Sequence, residues 1–134
     1  MKNLHFALAV VSLLLCGVAI AQGPSDRAVI YYEGWDALTR ARLSPEDVRR
    51  TAPIVVTIRD PMQVSKVRHW LEVLAMKTRD PEPEDARLVV DFLDGDQKRD
   101  SYYASYFNLL SEDSKRGRAI DETFRNHFRF LEER

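Results

Sequence analysis

Tyr31, Tyr32, Trp35, Arg40 and Arg42 crowd one short stretch of the chain. Tyr, Trp and Arg dominate protein–protein hot spots, because each joins a large contact area to a polar handle. The stretch 35–42 reads either as an extended continuation of the preceding strand or as a turn or bulge marked by Gly34, and exposed function concentrates at such irregularities. These five are the candidate binding residues. Tyr102, Tyr103 and Tyr106 recur later and are expected to coat one sheet face with their hydroxyls toward solvent.

Other chemistries find little support. Asp91, Asp94, Asp96 and Asp100 offer hard oxygen ligands, but they lack the order of a calcium loop, with Gly sixth and Glu twelfth. Their spacing reads as a solvated turn. His69 and His127 each stand on a predicted helix with no second His or Cys at ligand spacing, so no metal site is expected. No Gly-x-Ser-x-Gly elbow, Ser-x-x-Lys pair or phosphate-cradling Gly-rich loop occurs, and no cofactor is expected. Lys115-Arg116-Gly117-Arg118 is flanked by Glu112, Asp113, Asp121 and Glu122, which makes it a mixed-charge turn rather than an anion site.

The elements that must carry these residues centre on Ile54-Val55-Val56-Thr57-Ile58. Its β-branched residues predict a strand, and apolar character on both faces predicts an interior one. Pro61 follows as a first helical residue, with Asp60 as N-cap and Gln63 three positions on. Val64, Val67, Leu71 and Leu74 then form one stripe of a long helix, Pro61 to Met76. Before this pair, Ala28 to Tyr32 reads as a strand. Ser44, Pro45 and Asp47 start a short connector helix that Pro53 ends, with Leu43 and Val48 at the staple positions. After it, residues 77–87 form a polar, Pro-containing loop. Leu88 to Leu93 is a strand, and Asp94-Gly95 a turn into a partner strand over 100–110, by a connection longer than the tightest hairpin. Ser111 to Arg118 is a turn that Gly117 helps to reverse. Residues 118–120 form a last short strand, and Asp121 caps a terminal helix whose Phe124, Phe128 and Leu131 share a face. The expected fold is α+β: a mainly antiparallel sheet of about four to five strands, one long central helix and a C-terminal helix packed on it. The strand–helix–strand order over 54–93 leaves one parallel pair open.

Compartment and partners follow from the ends and the charge. Lys2, an apolar run over residues 4–18 and Ala19-Ile20-Ala21 match a cleaved export signal, leaving one domain over residues 22–134. The run is short for a membrane span, so no membrane association is expected after cleavage. Leu15 stands where a lipoprotein signal wants a small residue, which argues against lipid anchoring at Cys16. Loss of Cys16 with the signal leaves a chain free of thiols and disulfides, a composition suited to a bacterial periplasm or exterior. With 20 basic and 21 acidic residues, the chain lacks the basic excess that nucleic-acid binding needs. The expectation is a small exported binding or inhibitory module, more a binder than an enzyme, that engages another exported protein through the Trp35 segment. The alternatives are an envelope hydrolase with carboxylates brought together by the fold, or a structural subunit of an envelope assembly.

Overall fold

Leu88-Val89-Val90-Asp91-Phe92 is buried residue after residue, so both faces of the strand that carries it are covered. Such a strand belongs at the centre of a sheet with layers on either side. The computed structural model, which describes residues 25–133, is built around it. Seven strands, β1 (Arg27–Tyr32), β2 (Ile54–Ile58), β3 (Lys77–Thr78), β4 (Leu88–Asp94), β5 (Gln97–Ala104), β6 (Asn108–Ser111) and β7 (Arg116–Ala119), form one sheet. Their order is β2-β1-β4-β5-β6-β7-β3, and every neighbouring pair is antiparallel. The helices are α1 (Pro45–Thr51), α2 (Pro61–Leu71) and α3 (Glu122–His127), with 3-10 turns at Val73–Ala75 and Arg129–Glu133. Among the described residues no helix is long and apolar enough to cross a membrane. The stretch expected to be an export signal, residues 1–21 with Cys16, lies outside the described residues.

One face of the sheet presents Ala28, Ile30, Tyr32, Val90, Phe92 and Leu109. It is covered by Val64, Val67 and Leu71 of α2 and by Phe124, Phe128 and Leu131 of the C-terminal segment. The other face gathers Val89, Tyr103 and Leu110 under Val48 of α1 and Ala86. Asp91 also points to this second face and is 5% exposed. A carboxylate removed from water must be paired and hydrogen-bonded. Arg49 of α1 meets it with both arms: Nε donates to Oδ2 at 2.9 Å and Nη2 to Oδ1 at 2.8 Å. The Ser101 hydroxyl donates to the same Oδ1 at 2.5 Å and accepts from Arg49 Nη2 at 2.7 Å. Nη1 reaches Glu46 at 2.9 Å and Glu112 at 2.7 Å. Burial disfavours the Arg49 charge, but Asp91 and Glu112 outweigh it, and the guanidinium pKa is raised.

Several expectations need correction. The sheet has seven strands rather than four or five, and among the described residues there is no single long central helix. α2 stops at Leu71, where Glu72 turns left-handed at φ 47°, so Leu74 falls off the stripe into solvent and Met76 is buried instead. Arg118 holds that end, its Nε and Nη2 donating to the Leu71 carbonyl at 3.0 and 2.8 Å; this arginine is a helix stop rather than a solvated charge. β2 lies at the margin of the sheet, with Val55 and Thr57 exposed. Residues 77–78 of the polar loop join the sheet as β3. The β4–β5 hairpin is tight, Asp94 pairing with Gln97 across Gly95 at φ 60°, because a bulge at Phe92/Leu93 absorbs the extra residue. The stretch 100–110 breaks at residues 105–107 into two strands. Gly117 is inside β7 rather than at a turn: a Cβ there would lie 2.7 Å from Leu110 Cδ2.

Two consequences are measurable by urea denaturation. Arg49→Met strands the Asp91 carboxylate and is expected to cost about 3–5 kcal/mol. Arg49→Lys, without the planar fork, recovers little of it, whereas Arg49→Met combined with Asp91→Leu recovers most. Glu72→Gly relieves a left-handed backbone at an exposed helix end and is expected to stabilise the fold by about 1 kcal/mol.

Candidate functional site

The segment from Glu33 to Leu43 leaves β1 and is fastened along the loop that precedes β4. Gly34 opens it at φ 114°, a conformation that L side chains rarely adopt. The Glu33 amide donates to the Arg87 carbonyl at 2.9 Å, and the Leu43 amide to Asp85 Oδ1 at 2.8 Å. Ala86 donates back to the Leu43 carbonyl at 2.9 Å. Between these ends Arg87 Nη1 donates to the Ala37 carbonyl at 2.6 Å, and Nη2 to Asp85 at 2.5 Å. The segment is irregular yet held at every few residues.

Trp35 points inward, 6% exposed. Its ring meets Tyr32 edge-on at 5.6 Å and Phe124 at 6.3 Å. The Tyr32 hydroxyl accepts from the Trp35 amide at 3.0 Å and donates to Glu132 at 2.5 Å, tying β1, the segment and the C-terminal turn together. Trp35 Nε1 and Glu33 Oε2 are buried without a partner among the described residues.

Opposite the segment stands the turn between β5 and β6. The Ser105 hydroxyl accepts from the amides of Phe107 and Asn108, at 3.2 and 3.0 Å, and donates to Glu84 at 2.7 Å. That local bonding holds Tyr106 and Phe107 at the tip of the turn, away from the core. Phe107 is 70% exposed and Tyr106 38%, their rings edge to face at 5.1 Å. Arg125 steadies the tip, its guanidinium 4.1 Å from the Tyr106 ring centroid and its Nη1 donating to the Tyr106 carbonyl at 2.6 Å. Leu38 projects fully into solvent from the other side. Trp35, Leu38, Tyr106 and Phe107, with Asp36 and Glu84, line a cleft of about 430 Å³ between segment and turn.

The five residues singled out by type do not form one surface. Tyr32 and Trp35 are together in the core. Arg40 is exposed outside the cleft, and Arg42, also exposed, donates to the Pro83 carbonyl at 3.0 Å. Tyr31 is half-buried on the opposite face near the Arg49–Asp91 pair; burial and then the Asp91 charge raise its pKa, with Arg49 opposing. The later tyrosines do not share a face either. Tyr102 turns to α2 and donates to Asp100 at 3.2 Å, while Tyr103 is buried on the other face, its hydroxyl 2.5 Å from Ser114 Oγ. Leu38 and Phe107 escape a reading by residue type, and Tyr106, expected on a sheet face, stands instead in the turn between β5 and β6. Ser105 and Asn108, turn formers either side of two aromatics, carry the one signal that could have found the tip.

Of the acidic cluster, Asp91 faces Arg49, Asp94 pairs with Arg99 at 2.8 Å, and Asp100 with Arg68 at 3.0 Å. Among the described residues no group of three or more His, Cys, Asp and Glu could hold a metal ion. His127 stacks on Trp70 at 5.0 Å rather than facing a ligand partner. The chain matches no protein-family model, no curated protein and no solved structure.

The Tyr32 hydroxyl gives a pH-dependent test of this framework. Its pKa is raised, first by burial and then by the Glu132 hydrogen bond, with the Trp35 amide opposing. The folded chain therefore keeps this proton above pH 10.0, where unfolded tyrosine releases it. Stability from this group is intact below that pH and drains as pH rises toward the folded value. Tyr32→Phe is expected to lose about 1–2 kcal/mol at neutral pH and to show a flatter stability curve than wild type above pH 10.0.

Proposed function

We propose that the protein is a binding module that acts outside the cytoplasm and holds another exported protein at the cleft between the Trp35 segment and the Tyr106–Phe107 turn. The observation that carries this is the exposure of Leu38, Phe107 and Tyr106 around one cleft whose walls are fixed by hydrogen bonds. Large apolar side chains clustered at a rigid, polar-rimmed surface are the usual anatomy of a protein contact. Pre-fastened loops bind with little loss of entropy. Trp35 serves as the floor of the site rather than as its contact, and the module needs neither nucleophile nor metal to act. Asp36, exposed at the rim, suits a partner that brings a cation beside an apolar side chain.

Leu38→Asp and Phe107→Asp change exposed positions, so stability should move by no more than about 0.5 kcal/mol. A photo-crosslinking amino acid in place of Phe107 is expected to trap one defined partner from envelope or culture fractions. Leu38→Asp should cut that adduct at least about ten-fold, as loss of a hot spot does. The same side chain in place of Leu74, which is more exposed than Phe107, should trap none. Identical adducts from both positions would refute the site.

A further inference from the structure

The two margins of the sheet are built differently. β3 is two residues long, begins with Lys77, lies beside Arg116 of β7 and is followed by Pro81 and Pro83. Shortness, charge and proline are devices that keep a margin from recruiting strands. β2 is five residues long, uncharged and β-branched throughout, and Pro53 and Pro61 flank it without removing a donor from its span. It pairs with β1 alone, and among the described residues no backbone hydrogen bond beyond that ladder reaches residues 54–58.

A groove of about 450 Å³ runs beside it toward α2, floored by Val56, Ile58, Val67, Trp70 and Phe130. Arg59 stands at the end of the groove, exposed, with no ion pair or side-chain hydrogen bond among the described residues. Its neighbour Asp60 is occupied in capping α2, accepting from the amides of Met62 and Gln63 at 2.9 and 3.1 Å. Lys66 adds a second cation, 5.7 Å from the Trp70 ring centroid. An open ladder, an apolar floor and a positive end thus lie side by side.

We propose that this margin takes an extended segment of a partner polypeptide as an eighth, antiparallel strand, with alternate apolar side chains in the groove and a carboxylate against Arg59. Main-chain pairing supplies affinity in this mode and the pockets supply selectivity. Charge decides against a second copy of the chain. Antiparallel self-pairing centred on Val56 sets Ile54 against Ile58 but Arg59 against Pro53, which leaves the guanidinium unanswered. The margin shares no lining residue with the Leu38–Phe107 cleft, so this site stands or falls independently of the function proposed above.

The probes are two blocked hexapeptides of one composition, acetyl-Glu-Val-Thr-Val-Thr-Ile-amide and its reverse, titrated into the full chain and followed by NMR. Antiparallel addition brings the Glu of the first to Arg59. That peptide is expected to bind about ten-fold tighter than its reverse, the worth of one charge-assisted hydrogen bond, and to slow exchange of the outward amides of residues 54–58. Arg59→Glu, a change at an exposed position, should abolish the preference and favour a peptide with Lys in place of Glu. Equal binding of the two peptides, or unprotected β2 amides, would overturn the proposal. So would dimerisation that protects the same amides with no peptide present.

Discussion

A single carboxylate, Asp91, sits in the middle of the central strand and cannot be left alone. Everything on the second face of the sheet is arranged around that constraint. A charge 5% exposed requires a partner with several donors in fixed directions, and the Arg49 guanidinium supplies them. To bring Arg49 there, α1 must lie flat on β4 with Val48 beside it in the apolar cluster. Ser101 from β5 and Glu112 from the β6–β7 turn complete the ring of acceptors and so fix two further parts of the chain. A well-packed apolar side chain at 91 would permit α1 to slide; the ion pair admits one position. What this pair contributes is placement more than free energy, since buried ion pairs rarely exceed their hydrophobic replacements in stability.

The opposite face needs no such device. There α2 and the C-terminal segment bury a stripe of Val, Leu and Phe, and the polar tasks move to the ends: Asp60 caps one end of α2 and Arg118 the other. Among the described residues the exposed large apolar groups are Leu38, Tyr106 and Phe107 at loop tips, Val55 at one sheet margin, and Met62 and Leu74 at the two ends of α2. The segment from Glu33 to Leu43, which carries Leu38, has no regular structure, yet Arg87 and Asp85 hold it as firmly as a strand would.

Local signals in the chain foretold local structure well. Ser44 and Asp47 form the reciprocal cap their spacing implies, and Asp121 caps α3 by accepting from the Phe124 amide at 3.0 Å. Val64, Val67 and Leu71 are buried as their periodicity requires, and so are Phe124, Phe128 and Leu131. What failed was whatever depends on neighbours distant in sequence. Apolar residues on both faces of 54–58 describe an interior strand and a margin with a groove beside it equally well. Type and a place near a turn point to Trp35 as an exposed contact, but a ring of that size is more readily stabilised against Tyr32 and Phe124, which lie far from each other in the chain. Asp91 was hidden in a group of carboxylates that looked uniform; its pairing to a residue forty-two positions earlier leaves no trace in spacing.

The chain has two tryptophans: Trp35 lies beneath the cleft and Trp70 along the groove beside β2. The protein therefore carries an intrinsic fluorophore at each of the two places where an occupant would seat. Because one indole is shut inside the core and the other is partly wetted, Trp35 is expected to emit to the blue of Trp70, and an occupant of either recess changes the emission without a dye being attached.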